Sequence, residues 1–223
     1  MINRLCMVLA HGGAQATVLR HLPIWKSLHD RVILCSPADD PLNLPNHWNF
    51  VTGRSSLYAT ETNARAHEAM RLASELHPHT LTICEYDALL WRWPEASIPM
   101  MGPDGVIGSV FTSADPSFRG KFYIHSPIIF GPRAIQMVLT AMDHLPPDAE
   151  RGFGDRYFGL AIEMAKIPVT DGHAHGLSYS QNHIEPKHIP EAIHAIKNGA
   201  CFTHGVKDAP TLAKLAQAAK IVG

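Results

Sequence analysis

Apolar and polar positions along the chain change period several times, and each change marks an element. The run from Leu5 to Leu9 is continuously apolar and short, which predicts a buried strand. It leads to Gly12-Gly13, a turn signal, after which Val18, Leu22 and Trp25 recur at helical spacing. Pro23 within that pattern predicts a kink, or a place near the first turn of the helix. A second apolar run, Arg31 to Cys35, is closed by Ser36, Pro37, Ala38, Asp39, Asp40 and Pro41, a cluster that cannot continue a strand. Strand, helix and strand within about forty residues predict a parallel pair with a crossover.

The pattern then repeats. Ala66, Met70, Ala73 and Leu76 predict a helix from about Thr62 to Leu76, which passes through His77-Pro78 into a strand from Thr80 to Cys84. The second half is less regular. Strands are expected near Gly108 to Thr112, Phe122 to Ile124 and Ala200 to Thr203, and helices at Arg133 to His144, Arg156 to Lys166, Ile189 to Lys197 and Thr211 to Lys220. The tail helix carries Leu212, Leu215, Ala216 and Ala219, a face suited to packing on its own domain, the alternative being a neighbouring molecule. With no internal repeat, charge block or low-complexity linker, the chain is read as one α/β domain over residues 1–223. Its expected architecture is a mixed, mainly parallel, Rossmann-like sheet flanked by helices.

Composition narrows the function. A chain of 223 residues with 46% hydrophobic and 17% charged residues can bury a sizeable core, which excludes a disordered tail or a disulfide-stapled miniprotein. Nineteen Lys and Arg against 20 Asp and Glu leave a net charge of -1, so nothing global attracts a nucleic acid. Apolar stretches such as Val32 to Cys35 and Ile128 to Phe130 fall far short of the roughly 20 residues that span a bilayer, so no membrane span is expected. Met1 to Ala10 lacks a secretory cleavage pattern. Cys6, Cys35, Cys84 and Cys201 each sit inside an apolar run, as reduced core thiols of a cytoplasmic protein do. The compositional oddity is fifteen histidines, a residue type that serves as metal ligand and proton carrier.

In an open α/β sheet, ligands bind outside the carboxyl ends of the strands. Three polar clusters fall there: His11-Gly12-Gly13, Asp39-Asp40 and Glu85-Tyr86-Asp87. Strand alternation would send Glu85 and Asp87 to one side and Tyr86 to the other, so that the two carboxylates hold one hard divalent cation. The plain reading is a polar strand end. Near the carboxyl terminus an apolar strand runs into Thr203-His204-Gly205-Val206-Lys207. There His204 offers an imidazole, Gly205 permits close backbone approach, and Lys207 can neutralise a phosphate. As an isolated feature it is a solvated loop.

Taken together, the acid triplet and the His-Gly-Val-Lys loop resemble the nucleotide-sugar-binding parts of the GT-A-fold glycosyltransferases. In element order the resemblance covers most of the chain. It implies Asp87 and His204 as metal ligands for Mn2+ or Mg2+, Glu85 as a ribose or metal contact, Lys207 as a diphosphate contact, and Asp39 or Asp40 as nucleoside contacts. His11 and Gly205 would complete the donor pocket. The first triplet position is Glu where the family pattern has Asp, one methylene longer. Relatives that work without metal would leave the phosphate charge to Lys207 and nearby cations.

Asp155, in Arg151-Gly152-Phe153-Gly154-Asp155-Arg156, is suited to cap the helix that follows. It also resembles the acidic residue that takes the acceptor proton in inverting glycosyltransferases, a general-base role. The stretch Lys121 to Pro127 has aromatic and polar groups suited to stacking on and bonding to a sugar, and could line an acceptor cleft, though Phe122 and Ile124 suit the core. The loop Gly172-His173-Ala174-His175-Gly176 offers a His-x-His spacing that reads better as a mobile lid than as a zinc site, and Arg54, Ser55 and Ser56 could approach the donor.

The expected partners are therefore a nucleoside-diphosphate sugar and a saccharide or other hydroxyl acceptor. The rivals are a nucleotidyltransferase, a silent sugar-nucleotide binder on the same fold, and a histidine-rich metallohydrolase. Against the nucleotidyltransferase, no Lys or Arg follows the first strand until Arg20.

Overall fold

The computed structural model describes residues 2–37, 40–44, 47–50, 58–112, 120–146, 149 and 154–222. Among these the elements are β1 (Arg4–Leu9), α1 (Gln15–Leu28), β2 (Arg31–Pro37), β3 (His47–Phe50), α2 (Tyr58–Leu76), β4 (Thr80–Glu85), β5 (Leu89–Leu90), α3 (Ile98–Met101), β6 (Val106–Phe111), β7 (Tyr123–Phe130), α4 (Pro132–His144), α5 (Gly154–Met164), β8 (Val169–Asp171), β9 (Ser178–Ser180), α6 (Ile189–Lys197), β10 (Phe202–His204) and α7 (Ala209–Val222).

The expected architecture is present: a seven-stranded sheet in the order β3-β2-β1-β4-β7-β6-β8. The pairs β3-β2, β2-β1, β1-β4 and β6-β8 are parallel, and β7 alone runs against its neighbours β4 and β6. β1 shows why its apolar run is unbroken. Leu5, Met7 and Leu9 join the core formed with α2, α4 and α5, while Cys6, Val8 and Ala10 join the opposite core formed with α1, α6 and α7. A strand covered on both faces needs apolar side chains at every position. Each fully buried side chain of this kind contributes roughly 1.5–3 kcal/mol relative to exposure. Leu215 and Ala218 of α7 are buried in the second core, so the tail helix packs on its own chain. All four cysteines are buried and unbridged. No helix among the described residues is long and apolar enough to cross a membrane.

Several elements differ from the sequence pattern. Pro23 lies inside α1, well past the first turn. The strand expected at Phe122 to Ile124 is longer, because β7 continues through Pro127 to Phe130. Proline is tolerated there because the pairing with β6 shifts register between Ile107 and Ser109, opposite the segment that contains Pro127, so no regular ladder bond is lost. The short strands β3, β5, β8 and β9 carry two to four residues each, too few to register as a period.

A second sheet, β5-β10-β9, positions the site. β5 begins two residues after Asp87 and pairs antiparallel with β10, Phe202 opposite Leu90 and Thr203 opposite Leu89. β9 lies parallel on the other edge of β10. That register carries His204 back to the carboxyl end of β4.

Candidate functional site

The acid triplet is built as a turn. β4 ends at Glu85, and the Ala88 N–H donates to the Glu85 carbonyl at 3.0 Å. Glu85 and Asp87 therefore reach the same side through a turn, and not through strand alternation as the sequence suggested. Helix α1 holds the turn from beneath: His21 Nδ1 donates to the Tyr86 carbonyl at 3.0 Å and Trp25 Nε1 to the Ala88 carbonyl at 3.0 Å. Burial lowers the His21 pKa to about 4, so this brace is neutral at physiological pH. Neither residue was a site candidate from sequence, where Trp25 read as part of the apolar face of a helix.

His204 meets the triplet from 119 residues beyond Glu85. The Gly205 and Val206 N–H groups both donate to the Asp87 carbonyl, at 3.1 and 2.9 Å, which ties the two chain segments together. The imidazole Nδ1 lies 3.1 Å from the Gln181 carbonyl oxygen and Nε2 lies 2.9 Å from Glu85 Oε2, with Asp87 Oδ1 at 3.6 Å. A carbonyl and a carboxylate only accept, so both ring nitrogens must donate and the ring is an imidazolium. Burial opposes that charge, but the Glu85 hydrogen bond and the Asp87 and Glu85 charges outweigh it and raise the pKa to about 9.

The two carboxylates respond differently. For Glu85 burial acts upward, yet the His204 hydrogen bond and the charges of His204, His125 and Arg65 leave its pKa lowered. Asp87, with a side chain only 5% exposed, has its pKa raised by burial, and the proximity of Glu85 adds to this against the pull of His204 and Lys207. Lys207 Nζ stands 3.6 Å from Asp87 Oδ2. The Lys207 carbonyl accepts from Arg20 Nη2 at 3.1 Å and from Thr17 Oγ1 at 3.3 Å, so α1 anchors this loop as well.

Glu85, Asp87 and His204 each offer a ligand atom within 4.8 Å of the others, so the group could hold a metal ion. Two carboxylates and one imidazole suit a borderline or hard divalent cation. Nε2 must lose its proton before it can ligate. His173 and His175 are exposed in the turn after β8 and form no such group among the described residues.

The remaining donor-side candidates converge on the same sheet edge. Gly12 N–H donates to the Asp40 carbonyl at 3.0 Å, the His11 ring lies 3.7 Å from Asp40 Oδ2, and it stands edge-on to Tyr86 at 5.1 Å. Burial lowers the His11 pKa, Arg65 adds to this, and Asp40 and Asp87 act against it. Arg65, from α2, donates to the Ala10 carbonyl at 2.7 Å. A Cβ on Gly12 would overlap the Asp40 carboxylate. Gly205, at φ +91°, is needed because a Cβ would overlap the Gln181 carbonyl, so its close approach is to its own chain. Asp39, Arg54, Ser55, Ser56 and the Arg151-Gly152-Phe153 stretch lie outside the described residues.

Asp155 is in the first turn of α5, where a carboxylate favours the helix dipole, and is not its cap, because the helix already includes Gly154. Its Oδ2 lies 3.2 Å from His125 Nε2, and Oδ1 accepts from the Arg156 N–H at 2.9 Å. His125 Nδ1 in turn lies 2.7 Å from Ser180 Oγ. Asp155, Glu85 and Ser126 border one small void of about 10 Å³, otherwise lined mostly by apolar side chains such as Leu9, Ile83 and Phe158. The His125 ring packs on the His204 ring with centroids 4.9 Å apart, which links Asp155 to the acid cluster. His125 lies in the Lys121 to Pro127 stretch expected to line an acceptor cleft, but only the fold puts it and Ser180 beside Asp155.

No family model matches the chain, and no curated protein matches it by sequence. Among solved structures it is similar to the crystal structure of a glycosyltransferase involved in the glycosylation of the major capsid of PBCV-1, at 12% identity and a TM-score of 0.50. The match covers 96% of this chain and 98% of that one. The chain therefore has a glycosyltransferase-like fold.

Proposed function

We propose that the chain is a glycosyltransferase of the GT-A kind, one domain over residues 1–223, that moves a sugar from a nucleoside-diphosphate donor to a hydroxyl acceptor. The observation that carries this reading is the meeting of Glu85, Asp87 and His204 at the carboxyl ends of β1 and β4, on a glycosyltransferase-like fold. Glu85, Asp87 and His204 would hold a divalent cation, Mn2+ or Mg2+, which when bound supplies positive charge against the departing diphosphate. Lys207 adds an ammonium on the same side, and Asp39 or Asp40, with His11, would contact the nucleoside. Gly205 keeps the Lys207 loop against β9. Asp155 takes the acceptor proton as the new bond forms, held in place by His125. The same cluster supports a metal-free variant of the reading, because protonated His204 and Lys207 already place two cations beside Asp87.

Calorimetric titration of the folded protein with UDP- and GDP-sugars, in manganese and in EDTA, tests both. Binding of one donor in manganese is expected, and its loss in Asp87→Ala assigns that carboxylate. Binding retained in EDTA selects the metal-free variant, and no binding under either condition overturns the reading.

A further inference from the structure

Beside the acid cluster lies a run of rings that the donor side does not use. Phe111 and Tyr123 sit directly opposite each other in the antiparallel β6-β7 pair, their rings stacked with centroids 5.6 Å apart and an interplanar angle of 22°. His173, from the turn after β8, lies 5.4 Å from Phe111, and His125 lies 4.7 Å from Phe111 and 5.2 Å from Tyr123. His125 then touches His204. Phe111 and Tyr123 are half-exposed and His173 is exposed. The rings thus form a continuous surface from solvent to the carboxylate–imidazole cluster, with the Asp155 carboxylate and the Ser180 hydroxyl at its inner end.

We infer that this surface is the acceptor site and that the acceptor is a saccharide. The inference rests on the glycosyltransferase reading. A pyranose presents one face as a patch of C–H groups ringed by hydroxyls. An aromatic surface buries that patch, and polar groups at its edge take the hydroxyls. Phe111 and Tyr123 supply the first, while Ser180 and Asp155, each held by one ring nitrogen of His125, keep lone pairs for the second. A nucleobase could also stack on the rings, but the groups suited to a nucleoside and its diphosphate, His11, Asp40 and Lys207, gather around the acid turn on the β1, β2 and β10 segments, while the rings extend from His125 along β6, β7 and the turn after β8. Phe111, Tyr123 and His173 are therefore specificity residues for the acceptor.

Saturation-transfer NMR with six methyl glycosides (β-D-galactoside, β-D-glucoside, α-D-mannoside, N-acetyl-β-D-glucosaminide, α-L-rhamnoside and β-D-xyloside), each with UDP or GDP and manganese, tests this. At least one glycoside is expected to bind wild type through the protons of one ring face. Phe111→Ala and Tyr123→Ala should weaken that binding roughly tenfold. Tyr123→Phe should preserve it, and His173→Ala should weaken it less, so the inference does not depend on one variant folding. Nucleotide and manganese affinities, measured on the same samples, should hold within twofold.

No glycoside binding to protein that binds nucleotide overturns the saccharide acceptor and leaves the glycosyltransferase reading standing. Glycoside binding without nucleotide binding overturns that reading instead. Glycoside affinity unchanged in both alanine variants, or nucleotide affinity lost in step with it, shows that the rings serve another purpose.

Discussion

The two flanks of the candidate site are held by opposite kinds of force. On one, Glu85, Asp87, His204 and Lys207 form a mostly buried set of alternating charges, joined only because β5 and β10 pair across the length of the chain. On the other, Phe111 and Tyr123 meet as cross-strand neighbours of adjacent strands, an arrangement that packs without any charge. The charged flank depends on protonation and on what cation is present. The Phe111–Tyr123 pair carries no titratable charge of that kind, though His125 at its inner edge lies against His204. A ligand that spans both should show two separable responses, and each perturbation below is chosen to move one flank alone or the junction between them.

The largest effect belongs to the junction. Asp155 touches neither flank's outer residues, but its partner His125 packs against both His204 and Phe111. Asp155→Asn keeps the size of the side chain and removes its capacity to accept a proton. Turnover of donor and acceptor should fall by roughly 10²–10⁴, the range typical of a lost general base. Nucleotide affinity should stay within twofold, measured by calorimetry. Full turnover in this variant would leave Asp155 only its place in the first turn of α5.

Next comes Gly205→Ala. Gly205 has φ +91°, and an added Cβ would overlap the Gln181 carbonyl, so the change is strained both in its dihedral and in its contacts. Strain of this kind costs about 1–3 kcal/mol. Because the Gly205 N–H donates to Asp87 and the Gln181 carbonyl accepts from His204, relief of the strain must displace the charged flank. A lower urea midpoint and weaker manganese binding are expected, with glycoside binding kept. Loss of glycoside binding to the same degree would mean that the flanks are one unit.

The same contrast governs what could be read from sequence. The first ninety residues were legible because β1, α1, β2, α2 and β4 each carry a full period of apolar residues, and because β1 is covered on both faces. Acid triplet, histidine loop and Asp155 were visible as residue types at element ends. Of the aromatic flank, Tyr123 and His125 were visible within Lys121 to Pro127, but Phe111 was not, because its pairing with Tyr123 requires knowing that β6 and β7 are neighbours in antiparallel register, and Pro127 hid the length of β7. Likewise His21 and Trp25 support the acid turn through backbone carbonyls, contacts that leave no trace in a hydropathy pattern.

The smallest effect is a slope with pH, and it distinguishes the flanks most sharply. His204 has its pKa raised from the usual 6.5 to about 9. A raised value means that the charged ring stabilises the metal-free fold fully below about 6.5, and that this contribution is lost as pH rises through about 9. Metal binding runs the other way, since Nε2 must shed its proton to become a ligand. Between pH 7 and pH 8 one proton should leave per manganese bound, so affinity should rise roughly tenfold. Calorimetry in two buffers of different ionisation enthalpy would count that proton directly. His204→Gln should flatten the slope, and glycoside binding on Phe111 and Tyr123 should not change over the same interval. A pH-independent manganese affinity in wild type would remove His204 from the ligand set and leave it, with Lys207, as a fixed cation beside Asp87.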